Sequence, residues 1–266
     1  MDNRVDIQID GHIAIVKLNR PDKMNALDIA MFDAIIAAGE QCAANPAIRA
    51  VVLCGEGRAF CAGLDLGNFS PNNANSVTQE PLEKRTHGIA NKWQKAVWIW
   101  RELPVPVIAA VHGVSFGGGL QIMLGADIKF VAPDTKLCVL EMKWGLIPDM
   151  AGTQLMRHNV RDDIIRELTY THRVFSGEQA VAYGFATHTS DTPLEDAIQL
   201  AKEISSKSPS AVVMAKELLN KAPYLDRAAG LLEESILQDK IIGKKNQLEA
   251  VFAGLQKRTG QFDDFR

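Results

Sequence analysis

Two acidic residues stand in an otherwise apolar stretch. In residues 138–153, CVLEMKWGLIPDMAGT, Glu141 and Asp149 are eight positions apart among Val139, Leu140, Met142, Trp144, Leu146 and Ile147. Apolar surroundings disfavour the charged form of a carboxylate, raising its pKa toward the range where it can take and return a proton near neutral pH. Beside Lys143, either acid alone could equally be a solvent-facing charge. Two glycine-bearing segments could supply the complementary chemistry. Residues 112–121, HGVSFGGGLQ, put three glycines at the head of a helical pattern, LQIMLGAD. Glycine costs roughly 1 kcal/mol in a helix interior relative to alanine, so a cluster at a helix start points to a spatial reason. The free N–H groups and dipole at such an end suit a negative oxygen. Residues 58–66, RAFCAGLDL, form a small-residue run that either permits close backbone approach by a ligand or is an ordinary turn. No GK[ST] and no GxGxxG is present, so phosphate binding by those motifs is not supported.

Each glycine segment follows a strand pattern, residues 49–54 (RAVVLC) and 105–111 (VPVIAAV), both apolar enough for burial on two faces. Upstream, VDIQI and IAIVKL flank Asp10-Gly11 and predict a hairpin over residues 4–18. Leu27, Met31, Ile35, Ala38 and Cys42 recur at helical spacing and predict a helix over 25–44, with Pro46 beyond it. Residues 67–84 are rich in Asn, Ser and Pro without periodicity and read as a surface loop. A helix over 86–101 carries Trp93, Val97 and Trp100 on one face, a stripe that suits core packing before ligand lining. From about residue 193 helix formers dominate: 194–206, 210–221, 225–243 and 245–258. The expected organisation is a mixed α/β body, residues 1–192, followed by a helical region, 193–266.

The chain has 266 residues and 29.1 kDa, enough for one large domain with or without an appendage. Hydrophobic residues at 47% and charged residues at 23% exclude disorder as the main state. Lys+Arg 29 against Asp+Glu 32 leaves no basic excess for a phosphate backbone, so no nucleic-acid partner is expected. Cys42, Cys54, Cys61 and Cys138 show no ligand or disulfide spacing and read as buried thiols in a reducing compartment. Acidic residues in MDNRVDIQID do not suit a signal peptide, and a cytoplasmic location is expected. Residues 103–126 lack charge over a membrane-spanning length, but their prolines and glycines read as strand, loop and buried helix. Without clustered His, Cys or Asp, no metal and no redox cofactor is expected.

Six ordered segments resemble the crotonase (enoyl-CoA hydratase/isomerase) superfamily: LNRPDKMNAL (18–27), AFCAGLDL (59–66), PVIAAVHGVSFGGGLQ (106–121), ADIKFVAPD (126–134), LEMKWGLIPDMAGTQLM (140–156) and FAGLQKRTGQF (252–262). The resemblance implies a spiral of ββα units with a helical C-terminal region that helps assemble trimers, often paired into hexamers. It also implies a coenzyme A thioester as substrate. The backbone N–H groups that polarise the thioester carbonyl fall on Leu64 and Gly118. Lys23, Met24, Ala62, Gly63, Asp65, Leu66 and Gly117 match CoA- and substrate-contacting loops, with Lys257 as a further candidate for the phosphates. Trp93, Trp98, Trp100 and the 67–84 loop lie where relatives enclose the acyl tail, which would suit a medium or bulky acyl group.

One departure bears on the reaction. Hydratases of the family flank the double bond with two glutamates; here the first position is Gln121 and the second is Glu141. An amide hydrogen-bonds but exchanges no proton at neutral pH. Three catalytic readings follow. A single-base hydratase would use Glu141, with Gln121 orienting the water. A double-bond isomerase would use Glu141 alone, taking a proton from C2 and returning it at C4. A dienoyl-CoA isomerase would pair Glu141 with Asp149, unless Asp149 caps the helix expected near Ala151. The remaining reading is a catalytically silent acyl-CoA binder.

Overall fold

The computed structural model describes residues 4–69 and 81–265, leaving most of the expected 67–84 loop outside the described residues. The chain opens with β1 (Val5–Asp10) and β2 (Ile13–Leu18), an antiparallel hairpin turning at Gly11 with φ +57°. α1 (Ile29–Ala44) begins four residues later than its apolar spacing predicts. The reason is local: Asp28 caps the helix by accepting from Met31 N–H at 2.8 Å. Ahead of it, Asn25 is fully buried, with its side chain donating to the Glu56, Ala59 and Phe60 carbonyls.

β3 (Ala50–Gly55) leads through the first glycine segment to α2 (Lys92–Glu102), whose Asn91 and Gln94 form a reciprocal cap. That cap starts the helix six residues after the expected residue 86. β4 (Val107–Val111), β5 (Val114–Phe116) and α3 (Gly118–Gly125) follow, so the uncharged 103–126 stretch is strand, loop and a fully buried helix. Then come β6 (Ile128–Val131), β7 (Lys136–Cys138), α4 (Gly152–Met156), α5 (Asp162–Thr171), α6 (Gly177–Tyr183) and β8 (His188–Thr189). The C-terminal helices are α7 (Pro193–Ser205), α8 (Pro209–Lys221), α9 (Arg227–Ile241) and α10 (Lys245–Leu255), close to the expected boundaries.

Six strands form one sheet in the order β1-β2-β3-β4-β6-β8, parallel from β2 onward, and β5 pairs with β7 in a small second sheet. β3 and β4 are buried along almost their whole length, as parallel strands covered on both faces must be. One face packs against α1, α2 and α3 through Phe32, Ile35, Val97, Trp100 and Leu120. The other is covered by α7, whose Ala197 and Ala201 sit on Ala50, Val52 and Ile108. The first helix of the C-terminal region is therefore part of the sheet's packing. All four cysteines are buried and unbridged. Among the described residues no helix is long and apolar enough to cross a membrane.

Candidate active site

A short β-bridge between Cys61 and Ser115 joins the two glycine segments, and a second pairs Leu27, ahead of α1, with Leu64. In the second bridge Leu27 N–H donates to Gly63 O at 2.8 Å and Asp65 N–H to Leu27 O at 3.1 Å. Parallel pairing uses alternate residues, so Leu64's own N–H faces away from Leu27. Gly63 makes this approach possible: at φ +88°, a Cβ there would lie 2.6 Å from the Phe116 carbonyl oxygen. Gly118 opens α3, so its N–H has no acceptor within the helix. A Cβ on Gly118 would meet Leu27 Cδ1 at 2.8 Å and Met150 Sδ at 3.0 Å, and one on Gly119 would meet Cys61 O at 2.4 Å. The triple glycine thus has the spatial reason its helix-start position suggested.

Leu64 and Gly118 line a cavity of about 210 Å³ together with Ala62, Gly63, Leu66, Gly117, Leu140, Glu141, Trp144, Asp149 and Met150. Glu141 heads a 3-10 turn, Glu141–Trp144, and is 9% exposed. Its Oε1 accepts from Gln121 Nε2 at 2.6 Å, whereas its Oε2 is buried without a hydrogen-bond partner among the described residues. Burial pushes the carboxyl above the usual carboxylate range; its own backbone N–H and Gln121 pull it back in part, and the Asp149 charge pushes it up again. Asp149 is an exposed residue, but loss of water around its carboxyl also raises that group above its ordinary value.

Gln121 is 2% exposed and saturated on its oxygen side. Its Oε1 accepts from Met150 N–H and Gly152 N–H, each at 2.9 Å. Those bonds fix the amide orientation, because a flipped amide would aim its NH₂ at two donors and its oxygen at a carboxylate. They also serve the start of α4. Its N-cap is Ala151, at φ +69°, without a side-chain cap, so Asp149 does not fill the capping role open to it in the sequence.

Asp149 also borders a larger chamber of about 600 Å³, together with Trp98, Ile89, Ala151, Tyr224 and Leu225, and so stands where the two cavities meet. Trp98 faces this chamber, but Trp93 lines neither cavity: it packs edge-to-face on Phe32 with ring centroids 4.7 Å apart. Trp100 is buried in the core. Lys23 and Met24 end the Pro21–Lys23 turn, and Asp65 is held by Arg20 at 2.7 Å; none of the three lines either cavity. Lys257 follows α10 and likewise lines neither. Sequence reasoning did not single out Met150 for the small cavity, nor Asn220, Tyr224 and Leu225 for the large one. Met150 is adjacent to Asp149, a usable signal, whereas nothing local ties residues 220–225 to the site. Among the described residues no group of three or more His, Cys, Asp or Glu could hold a metal ion.

The family model described as enoyl-CoA hydratase/isomerase matches residues 8–265. The methylglutaconyl-CoA hydratase of Mus musculus mitochondria is 28% identical over 257 residues, 94% of this chain and 79% of that protein. The mitochondrial Delta(3,5)-Delta(2,4)-dienoyl-CoA isomerase of Rattus norvegicus is 31% identical over 215 residues, 77% of this chain and 64% of that protein. A crystal structure of an enoyl-CoA hydratase from Bacillus anthracis superposes with a TM-score of 0.88 at 29% identity, covering 98% of this chain and 100% of that one.

Proposed function

The chain belongs to the enoyl-CoA hydratase/isomerase family, and from that premise we propose that it adds water across the double bond of a 2-enoyl-CoA thioester with Glu141 as its base. The observation that carries this is the Glu141 carboxylate in the same cavity as the Leu64 and Gly118 backbone, with Oε2 buried and unpartnered. The thioester oxygen sits on the Leu64 and Gly118 N–H groups, which hold the negative charge as it develops. Donors so placed are worth on the order of 10² to 10³ in rate each. Glu141 Oε2 removes a proton from water as the water oxygen bonds to C3; the electron pair moves to the thioester oxygen, and Glu141 returns the proton to C2. A carboxyl raised by burial is suited to both halves of that exchange.

A second reading, isomerisation of a dienoyl-CoA, is favoured by Asp149, which faces the same cavity and is free of the capping role. Glu141 would then take a proton at one end of the diene and Asp149 would deliver one at the other. The chemistry uses no metal and no redox cofactor in either reading.

Leu231, Leu232, Ile236, Leu248, Val251 and Phe252 leave large apolar side chains exposed on α9 and α10, which supports assembly as a homotrimer or a pair of trimers. The test of the reaction is to incubate the protein with 2-enoyl-, 3-enoyl- and dienoyl-CoA thioesters and follow product mass with separation of isomers. Gain of one water is the expected result. Conversion at unchanged mass selects the isomerase reading, and binding without turnover across the panel overturns both.

A further inference from the structure

The residue at position 121 lies where a second proton-transfer group would stand, yet its contacts run to the protein. Gln121 bridges two segments that each carry an acid. Its oxygen holds Met150 N–H and Gly152 N–H, the turn directly after Asp149, and its nitrogen holds Glu141 Oε1 at 2.6 Å. That turn includes Ala151 at φ +69°, an unfavourable backbone region for alanine, so it needs fixing from outside. Gly152 is shaped to the amide: a Cβ there would fall 2.7 Å from Gln121 Oε1, 2.8 Å from its Cγ and 2.9 Å from its Cδ.

We propose that Gln121 is a positioning residue that ties Glu141 to the turn following Asp149 through one neutral amide, holding both acids in register while leaving Glu141 Oε2 free for the substrate. This rests on Glu141 being the base. A glutamate at position 121 would accept from the same two backbone donors but would set a second charge against Glu141 Oε1. The neutral amide lets Glu141 ionise without a like charge in contact. Among the described residues, the titratable groups in electrostatic contact with Glu141 are Asp149, whose charge raises it, and Cys138, a buried thiol pushed up to about 11 and so neutral at working pH. Lys143 acts on that thiol from the same segment, and Gly117, Leu140 and Met150 complete the wall without charge.

The test compares Gln121→Met, Gln121→Glu and Gly152→Ala with Glu141→Gln as the control, reading the pH profile of kcat/KM, thermal melting, and affinity for a saturated acyl-CoA, which has no double bond to hydrate or move. Gly152 lines neither cavity, and a Cβ there would press on the Gln121 amide, so its substitution disturbs the tie while leaving Gln121 itself in place. In Gln121→Met and Gly152→Ala the acidic limb is expected to rise by about one pH unit, because Glu141 loses a donor to its charged form. In Gln121→Glu, which retains both acceptor bonds to the turn, the limb rises further, with saturated acyl-CoA affinity within about twofold of the parent in all three. An unchanged acidic limb in Gln121→Glu or Gly152→Ala, with Glu141→Gln inactive, overturns the positioning role alone. Substantial turnover by Glu141→Gln overturns the underlying assignment of the base.

Discussion

The two most informative acids of this chain, Glu141 and Asp127, lie against buried parts of the fold and are treated in opposite ways. Asp127 Oδ2 receives the Lys216 ammonium at 2.7 Å and Val107 N–H at 2.8 Å, and Arg101 lies 3.6 Å from Oδ1. Lys216 in turn donates to the Trp100 and Val105 carbonyls, so the cluster joins α8 to the sheet. Among the described residues Glu141 has no cationic partner: Oε1 accepts from a neutral amide and Oε2 has no hydrogen-bond partner. A buried charge with cationic partners is a structural tie, whereas one left short of partners is held closer to its neutral form and retains a free lone pair for chemistry.

The contrast can be broken at its functional pole first. Glu141→Gln is expected to lower kcat by on the order of 10³-fold or more while saturated acyl-CoA still binds, which steady-state kinetics and calorimetry check. Next, Gly118→Val would force Leu27 and Met150 aside and displace the N–H behind them, lowering kcat/KM by on the order of 10². A silent binder would tolerate this change. At the structural pole, Lys216→Met should destabilise the fold by about 3 kcal/mol by removing the ammonium that Asp127 Oδ2 accepts from at 2.7 Å, a fall of roughly 6–12 °C in Tm. Its kcat per folded molecule should stay near the parent's. The smallest effect sharpens the comparison: Asp149→Asn removes a negative charge that disfavours ionised Glu141. The acidic limb of kcat/KM for hydration should then move down, by less than about one pH unit, because Glu141 loses its proton at lower pH. If isomerisation is the reaction, the same variant should instead lose turnover, since the second proton carrier is gone.

Much of this arrangement was legible in the sequence because its signals are local. Apolar runs marked β3 and β4 and the Asp-Gly pair marked the hairpin, whereas the meeting of the glycine segments with Glu141 in one cavity was implied by the family resemblance and by no local signal. Element starts were less legible where a side chain decides them: Asp28 begins α1 and the Asn91–Gln94 pair begins α2, each inside a longer apolar pattern. Long-range partners were not legible. Trp93 is taken up by Phe32 of α1, Trp98 turns to the larger chamber instead, and α4 is served by Gln121 from α3, about thirty positions upstream. Helical spacing defines a face, but what that face meets depends on how the sheet brings distant segments together.

The claim on which these differences rest is that Glu141 exchanges a proton with C2 of a thioester polarised by the Leu64 and Gly118 backbone. Incubating the protein in deuterium oxide with a saturated acyl-CoA, and measuring label at C2 by mass spectrometry, isolates that step from both hydration and double-bond migration. Deuterium should enter C2 with the parent protein and fail to enter with Glu141→Gln. Equal incorporation by the two proteins would contradict the assignment.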